Sequence, residues 1–374
     1  MRPDEPVRQD PAGTAARRGA VGLGARVEVF GERTGPGCAT PWLMIGPLAW
    51  ICGEGAGPLG TIAREPPPLR APDGLPYDYF FVGRDGSFGY RNLDTAEEGV
   101  PDAQLQPGFG VALRFTRTRP GTSDVFGLTS HRYWIPMRDL SGPVRSPGAL
   151  GAALDDSLAI GFVIADEARV YSAPKLAKRT EAKLSRLTRV DVLEEHVAGR
   201  ETWLRVGEAM WLRARDVTQP ARVPPPAEAR PGERWIDVDL ARQVMTAYVG
   251  TRAVYAAPVS TGRGAPGSEL ATPPGVHRLW VKLAATDMDN LENLEAEENY
   301  AIQAVPWVQF FERGYGLHGA FWHRAFGRVQ SHGCVNLPPG DAEWVFRWSS
   351  PRLPEGWTAV LPTDYEPGTI VNVH

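Results

Sequence analysis

The sequence predicts a mainly β chain with few helices, and three observations carry that prediction. Gly and Pro are abundant, 41 and 35 of 374 residues, which favours turns and short strands. Short apolar runs alternate with the two-residue period of strands, as in Tyr79-Phe80-Phe81-Val82, Val111-Ala112-Leu113-Arg114-Phe115 and Tyr133-Trp134-Ile135. A hairpin pattern occurs twice, at 42–51 and 203–212, with Gly four residues and a second Trp eight residues after the first Trp.

Composition narrows the function. With 43% hydrophobic and 22% charged residues the chain is neither disordered nor fibrous. A net charge of -4 gives no electrostatic reason to expect nucleic acid. Three cysteines are too few for a disulfide scaffold or a four-cysteine zinc site. No apolar run reaches the roughly 18 residues of a membrane span, so no transmembrane segment is expected. Residues 1–20 are polar and lack the apolar centre of a secretory signal.

Taken in order, residues 1–22 read as a disordered arm, rich in Pro, Gly, Arg and Asp without periodicity. Arg26-Val27-Glu28-Val29-Phe30 alternates like a strand, and 42–51 is an apolar hairpin turning at Gly46-Pro47. The stretch 77–140 is β-rich. Pro66-Pro67-Pro68 and Pro224-Pro225-Pro226 read as stiff connectors, and 221–233 as a domain boundary. The Trp hairpins resemble those that close the small barrel of bacterial SH3-like domains. That resemblance implies an SH3-like region of one or two modules at 23–150 and an SH3-like domain at 151–220.

Residues 234–374 form the last predicted domain. Three runs, at 234–240, 243–249 and 253–260, read as an antiparallel meander, and 368–373 as a closing strand. One helix is predicted after Pro338-Pro339-Gly340, with Asp341 as its N-cap and Ala342, Val345, Phe346 and Trp348 as its apolar stripe.

Chemistry concentrates in one stretch. His318, His323, His332 and Cys334 lie within 317–337, which ends in Ser331-His332-Gly333-Cys334-Val335-Asn336-Leu337. A cysteine with an ordinary pKa near 8.5 needs a base or cation beside it to act as a nucleophile, and a histidine supplies one. The expected arrangement is a Cys334 sulfur ionised beside an imidazole. Gly333 permits a sharp turn, with its N–H free to point at a substrate oxygen. The helix beyond Cys334 adds a favourable dipole if its N-terminus faces the sulfur.

These residues resemble the signature of YkuD-type L,D-transpeptidases: a His, a spacer of about a dozen residues, then Ser/Thr-His-Gly-Cys-x-Asn/Arg. Ser260-Thr261-Gly262 and Ala271-Thr272-Pro273-Pro274-Gly275-Val276 resemble two further elements of that family. The resemblance covers residues 234–373 and implies a β-rich catalytic domain. It implies Cys334 as nucleophile and His318 as general base, with the Gly319 carbonyl orienting the imidazole. The N–H groups of Gly333 and Cys334 would form the oxyanion hole, and His332 would shape and polarise the site. The donor would be a peptidoglycan tetrapeptide stem held as a thioester. An amine would then complete a 3→3 cross-link, or water would give carboxypeptidase activity. Asn336 stands where many members have Arg, and Gly319 where some have Ser or Thr, which leaves donor and acceptor preference open.

Substrate contacts are expected from Ser331, Asn336, Trp322, His323, Tyr300 and Met288, with Trp307 and Phe321 as further candidates that equally suit a core. The acidic run 287–298 reads as a solvated loop or as a flap over the cleft. A zinc site built from His318, His323, His332 and Cys334 is disfavoured by the two-residue spacing of His332 and Cys334. No metal or cofactor is expected. Cys38 and Cys52 flank the first Trp hairpin, close enough for a disulfide in an oxidising envelope but not in a cytosol.

The resemblance thus implies an envelope or periplasmic enzyme whose partners are peptidoglycan stem peptides and whose thiolate opens carbapenems. Two other readings are a catalytically silent wall-binding protein and an enzyme that attaches an envelope protein to peptidoglycan.

Overall fold

The computed structural model describes residues 4–57, 75–292 and 299–374, and within them the chain is mainly β, with one α-helix. Pro66-Pro67-Pro68 lies outside the described residues. The chain divides into two compact units, one of residues 1–146, 283–308 and 353–360, the other of 147–282, 309–352 and 361–374.

In the first unit residues 5–21 carry two paired strands, correcting the expectation of a disordered arm. Glu5–Arg8 pairs antiparallel with Arg17–Val21, which pairs in turn with Trp357–Val360. Val7, Val21, Ile45, Ala49, Ile51, Trp357 and Val360 close one core. Gly19 lies so near this last strand that a Cβ there would stand 2.2 Å from the Ala359 carbonyl. The apolar partners of the arm come from the first Trp hairpin and from the far end of the chain, beyond any pattern within 1–22.

The run at 26–30 is not a strand. The strand is Gly31–Arg33, paired with Trp42–Gly46, and it leaves Val29 and Phe30 exposed. The hairpin of Trp42–Gly46 and Ala49–Cys52 forms as expected, and a Cys38–Cys52 disulfide ties its second arm to the preceding loop. Asp78–Val82, Gly110–Thr118, Val125–Thr129 and Trp134–Pro136 assemble around Val82, Leu105, Val111, Leu113 and Ile135. Residues 283–308 join this unit: Ile302 pairs with Gly110, and Tyr79 donates to the Ala304 carbonyl at 2.6 Å.

The second unit contains the other Trp hairpin, Glu201–Gly207 with Met210–Arg213. The two hairpins agree in more than spacing. Each buries its first Trp (Trp42 at 3% exposure, Trp203 at 1%) and leaves the second half-buried. Each also turns through a non-Gly residue of positive φ, Leu48 at 49° and Ala209 at 51°. Around the second hairpin, sheets of three and five strands enclose Val163, Ala168, Val170, Val190, Leu204, Leu212 and Val217.

The meander Arg234–Asp239, Val244–Val249 and Arg252–Pro258 forms as predicted, and Ile370–Val373 closes it in parallel beside Arg234–Asp239. Trp235 stacks on Tyr248 with ring centroids 4.3 Å apart. Residues 221–233 lie against this sheet, where Val223 and Ala229 pack on the Trp235 cluster.

The helix runs Pro339–Trp348, with Pro338 as N-cap. Asp341 is therefore not the cap. Its buried carboxylate accepts the N–H groups of Leu150 and Gly151 at 3.0 Å each and the Tyr255 hydroxyl at 2.5 Å. At the other end, Lys282 donates to the carbonyls of Phe346 and Ser349 at 2.6 and 2.9 Å, placing a cation on the helix C-terminus.

Candidate active site

The site is built on paired strands. One edge of Tyr315–Gly319 pairs antiparallel with residues 309–312, and its other edge receives Val335–Leu337 in parallel. The register sets Leu317 opposite Val335, His318 opposite Asn336 and Gly319 opposite Leu337. Asn336 exchanges two backbone bonds with Ser260, at 2.8 and 2.9 Å, on its far side. Ser260, Asn336 and His318 thus lie on three neighbouring segments.

His318 is 2% exposed, and its Nδ1 lies 3.4 Å from the Gly319 carbonyl. A carbonyl only accepts, so Nδ1 carries the proton and Nε2 keeps its lone pair. Trp322 stacks over the ring at 5.7 Å. Burial pushes the imidazole down to about 4, only partly opposed by the Gly319 bond.

Cys334 is half-buried, with Sγ 3.7 Å from the Gly314 carbonyl. Burial pushes its thiol up to about 11, against a smaller opposing effect of the Gly316 backbone. Among the described residues Cys334 and His318 share no hydrogen bond. This corrects the expectation of an ionised sulfur: at neutral pH both groups are uncharged.

The turn before Cys334 is bound on every side. Gly333 has φ 120°, and a Cβ there would stand 2.4 Å from the Tyr315 ring, so only Gly fits. Its N–H is not free, because it donates to Ser331 Oγ at 3.1 Å. Ser331 Oγ in turn donates to the Cys334 carbonyl at 2.5 Å. Thr272 Oγ1 donates to the Gly333 carbonyl and accepts the Gly262 N–H, both at 2.8 Å. Among the described residues the Cys334 N–H has no partner. The helix N-terminus is occupied, with the Gly340 N–H donated to the Gly148 carbonyl at 3.1 Å.

The family comparison follows from this frame. Residues 233–373 match the YkuD family, described as the L,D-transpeptidase catalytic domain. Residues 233–373 are a YkuD domain. No curated protein is similar enough to the chain to be matched. Among solved structures, one relative is a crystallised mutant of the Enterococcus faecium L,D-transpeptidase: 21% identity, 38% of this chain, 50% of that chain, TM-score 0.29. Another is L,D-transpeptidase 3 of Mycobacterium tuberculosis, solved with a faropenem-derived adduct: 19% identity, 48% and 69% covered, TM-score 0.30. A third is an L,D-transpeptidase of Stackebrandtia nassauensis: 26% identity, 39% and 57% covered, TM-score 0.26. The chain spans half the length of the Enterococcus faecium protein that it matches.

Within the YkuD domain the other predicted residues take distinct places. His332 is exposed, and its Nε2 lies 3.0 Å from an Arg263 guanidinium nitrogen. A guanidinium only donates, so His332 is a neutral acceptor there, and burial and Arg263 both lower its pKa. Arg263 also donates its backbone N–H to the Ser331 carbonyl at 3.0 Å, so it grips this turn twice.

His323 is held in the domain by Asn336. Its Nδ1 accepts the Ala325 N–H at 3.1 Å, and the Asn336 amide lies 2.9 Å from Nε2. Burial pushes His323 down to about 4, so the ring is neutral and carries its proton on Nε2. The amide atom beside Nε2 is Nδ2; a protonated Nε2 cannot accept, so the amide is assigned with its oxygen there, which also gives the buried Oδ1 a partner. Phe321 is buried.

Met288, Tyr300 and Trp307 belong to the first unit, whereas His318 and Cys334 belong to the second. In the acidic run, Asp287 meets His131 at 2.5 Å, and residues 293–298 lie outside the described residues. Sequence reasoning missed Tyr315 and Arg263. The signal for Arg263 was its place directly after Ser260-Thr261-Gly262; Tyr315 had none, because its role is to face a glycine eighteen residues on.

Proposed function

We propose that the YkuD domain is a peptidoglycan L,D-transpeptidase in which Cys334 is the nucleophile and His318 the general base. The observation that carries this reading is the in-register pairing of His318 with Asn336, which anchors base and nucleophile loop in one strand frame. Sulfur attacks the stem-peptide carbonyl while the thiol proton passes to His318 Nε2. The tetrahedral intermediate collapses as that proton goes to the departing amine, leaving a thioester on Cys334. An acceptor amine then attacks the thioester, its surplus proton is relayed through His318, and the free thiol is restored. Water in place of the amine gives carboxypeptidase activity.

Two features shape the reaction in this chain. Both groups start neutral, so the proton moves as the carbon–sulfur bond forms rather than from a standing ion pair. The Cys334 N–H is the open oxyanion donor, because the Gly333 N–H is committed to Ser331. Trp322 orients the base, and His323 with Asn336 stiffens the strand behind it. The Cys38–Cys52 disulfide supports placement in an oxidising envelope.

The test is incubation of the protein and its Cys334→Ala variant with purified muropeptides. The expected result is D-Ala release with new 3→3 dimers from the first and neither from the second. Absence of both products, together with no acyl adduct by intact mass, would overturn the reading.

A further inference from the structure

A second concave site lies in the unit that holds Cys334. A cavity of about 340 Å³ is lined by Pro147, Leu150, Arg186, Leu187, Thr188 and Arg324. Its volume falls in the range of small-ligand sites. Three lining residues are aliphatic or Pro, one is a hydroxyl, two are guanidinium cations, and none is acidic.

The two arginines differ. Arg186 is held rigidly: its guanidinium donates to the carbonyls of Ile164 and Phe326. Those acceptors are neutral, so its charge is not cancelled. Burial, and less strongly the neighbouring Arg328, lower its pKa, while Asp166 opposes them. The nearby acid, Asp166, is taken by Arg328 at 2.9 Å. Arg324 is exposed and has no hydrogen-bond or ionic partner among the described residues. Arg189 adds a further cation beside Thr188, its guanidinium donating to the neutral Gly151 carbonyl.

We propose that this cavity is a carboxylate-binding site for a short acidic peptide, with Arg324 as the fork that grips the carboxylate and Arg186 as a fixed field behind it. A planar guanidinium with free N–H groups pairs with a carboxylate through two parallel bonds. Pro147, Leu150 and Leu187 offer the apolar wall for a hydrocarbon arm, which a bare inorganic anion would leave unused. Thr188 supplies one further hydroxyl. None of its lining residues takes part in the thiol chemistry, so the proposal does not depend on the proposed function. Its rim residue Arg324 directly follows His323, which holds Asn336, so a ligand here adjoins the frame of the YkuD site.

The test is amide NMR titration of the full chain with N-acetyl-alanyl-glutamate, its neutral diamide and inorganic phosphate. The expected result is saturable shifts at Leu187, Thr188 and Arg324 with the acidic dipeptide alone. Arg324→Gln, a surface change that leaves the Arg186 bonds in place, should weaken that binding at least tenfold, and Arg324→Lys should recover only part of it. Equal binding of the diamide, comparable saturation by phosphate, unchanged affinity in Arg324→Gln, or shifts centred on 331–336 would each overturn the proposal. Cys334→Ala should bind the dipeptide like the parent chain, and a loss there would also overturn it.

Discussion

His318 and Asn336 lie opposite each other in a parallel strand pair, and Asn336 is in turn bonded through its backbone to Ser260. The candidate base is thus fixed in register against the strand that follows the candidate nucleophile. Displacing the His318 strand by one residue would turn His318 to the opposite face of the sheet, and displacing its partner would do the same to Asn336.

The first prediction concerns the sulfur. Cys334 is half-buried, and its thiol meets the Gly314 carbonyl and the Gly316 backbone, so Cys334→Ala deletes one sulfur from a small side chain. Turnover should fall by about a thousandfold or more while the melting temperature stays near that of the parent. A carbapenem should add one drug mass to the parent chain and none to the variant by intact-protein mass spectrometry. A parent chain that stays unmodified would argue against a reachable thiol.

The second is a pH profile. With His318 held down to about 4 and Cys334 raised to about 11, one protonation state, neutral imidazole with neutral thiol, persists between those values. The rate of acylation by a carbapenem, measured by stopped flow under kcat/KM conditions, should fall below about pH 4 as His318 gains a proton. It should stay flat across neutral pH, with any change on the alkaline side appearing only near 11. A limb between pH 6 and 9 would mean that an ion pair forms before the substrate arrives.

These two predictions mark where sequence and structure part. The stretch from His318 to Leu337 was legible because the candidate nucleophile, the candidate base and the turn glycine fall within one short segment. The Trp hairpins were legible for a similar reason: each is a local pair of strands, and even their strained turn residues coincide. The ionisation states were not legible, because they depend on how deeply packing buries each group. Nor was the engagement of the Gly333 N–H, which follows from the Ser331 side chain reaching a backbone group two residues on, nor the ordered strands near the start of the chain, whose core partners lie at 45–51 and 357–360. Met288 and Tyr300 suit a substrate pocket by residue type, and type alone carries no information about which unit a strand joins.

A third prediction tests the pair behind the base. Asn336 is 3% exposed, and its amide meets His323 Nε2. His323→Phe keeps the ring volume but leaves that amide without its partner, at a cost of about 1–3 kcal/mol. Urea denaturation should show the loss, and acylation should slow as the Val335–Leu337 strand loosens. His323→Gln, which retains a donor, should recover part of both.

A fourth concerns Lys282, fully buried with its ammonium on two carbonyls at the helix end. Burial pushes it from 10.5 to about 7. Between those values the unfolded chain binds more protons than the folded one, so stability should rise as pH increases from about 7 toward 10.5. Chemical denaturation at pH 7 and pH 9 measures the slope. Lys282→Met, which removes the titrating group, should flatten that segment of the curve; an unchanged slope would assign it to another residue.

The last prediction separates two reasons for glycine at position 333. An Ala there meets the Tyr315 ring and must also adopt φ 120°, a conformation that L-residues rarely take. Gly333→Ala should therefore shift the Cys334 turn and cut acylation sharply, with a stability loss of about 1–3 kcal/mol. Adding Tyr315→Ala removes the clash but not the backbone strain, so the double variant should recover stability only in part. Full recovery would mean that the ring contact alone demands the glycine; no recovery would mean that the dihedral does. Partial recovery is expected because the Ser331 and Thr272 bonds hold the Gly333 backbone at both its N–H and its carbonyl, whatever faces its Cα.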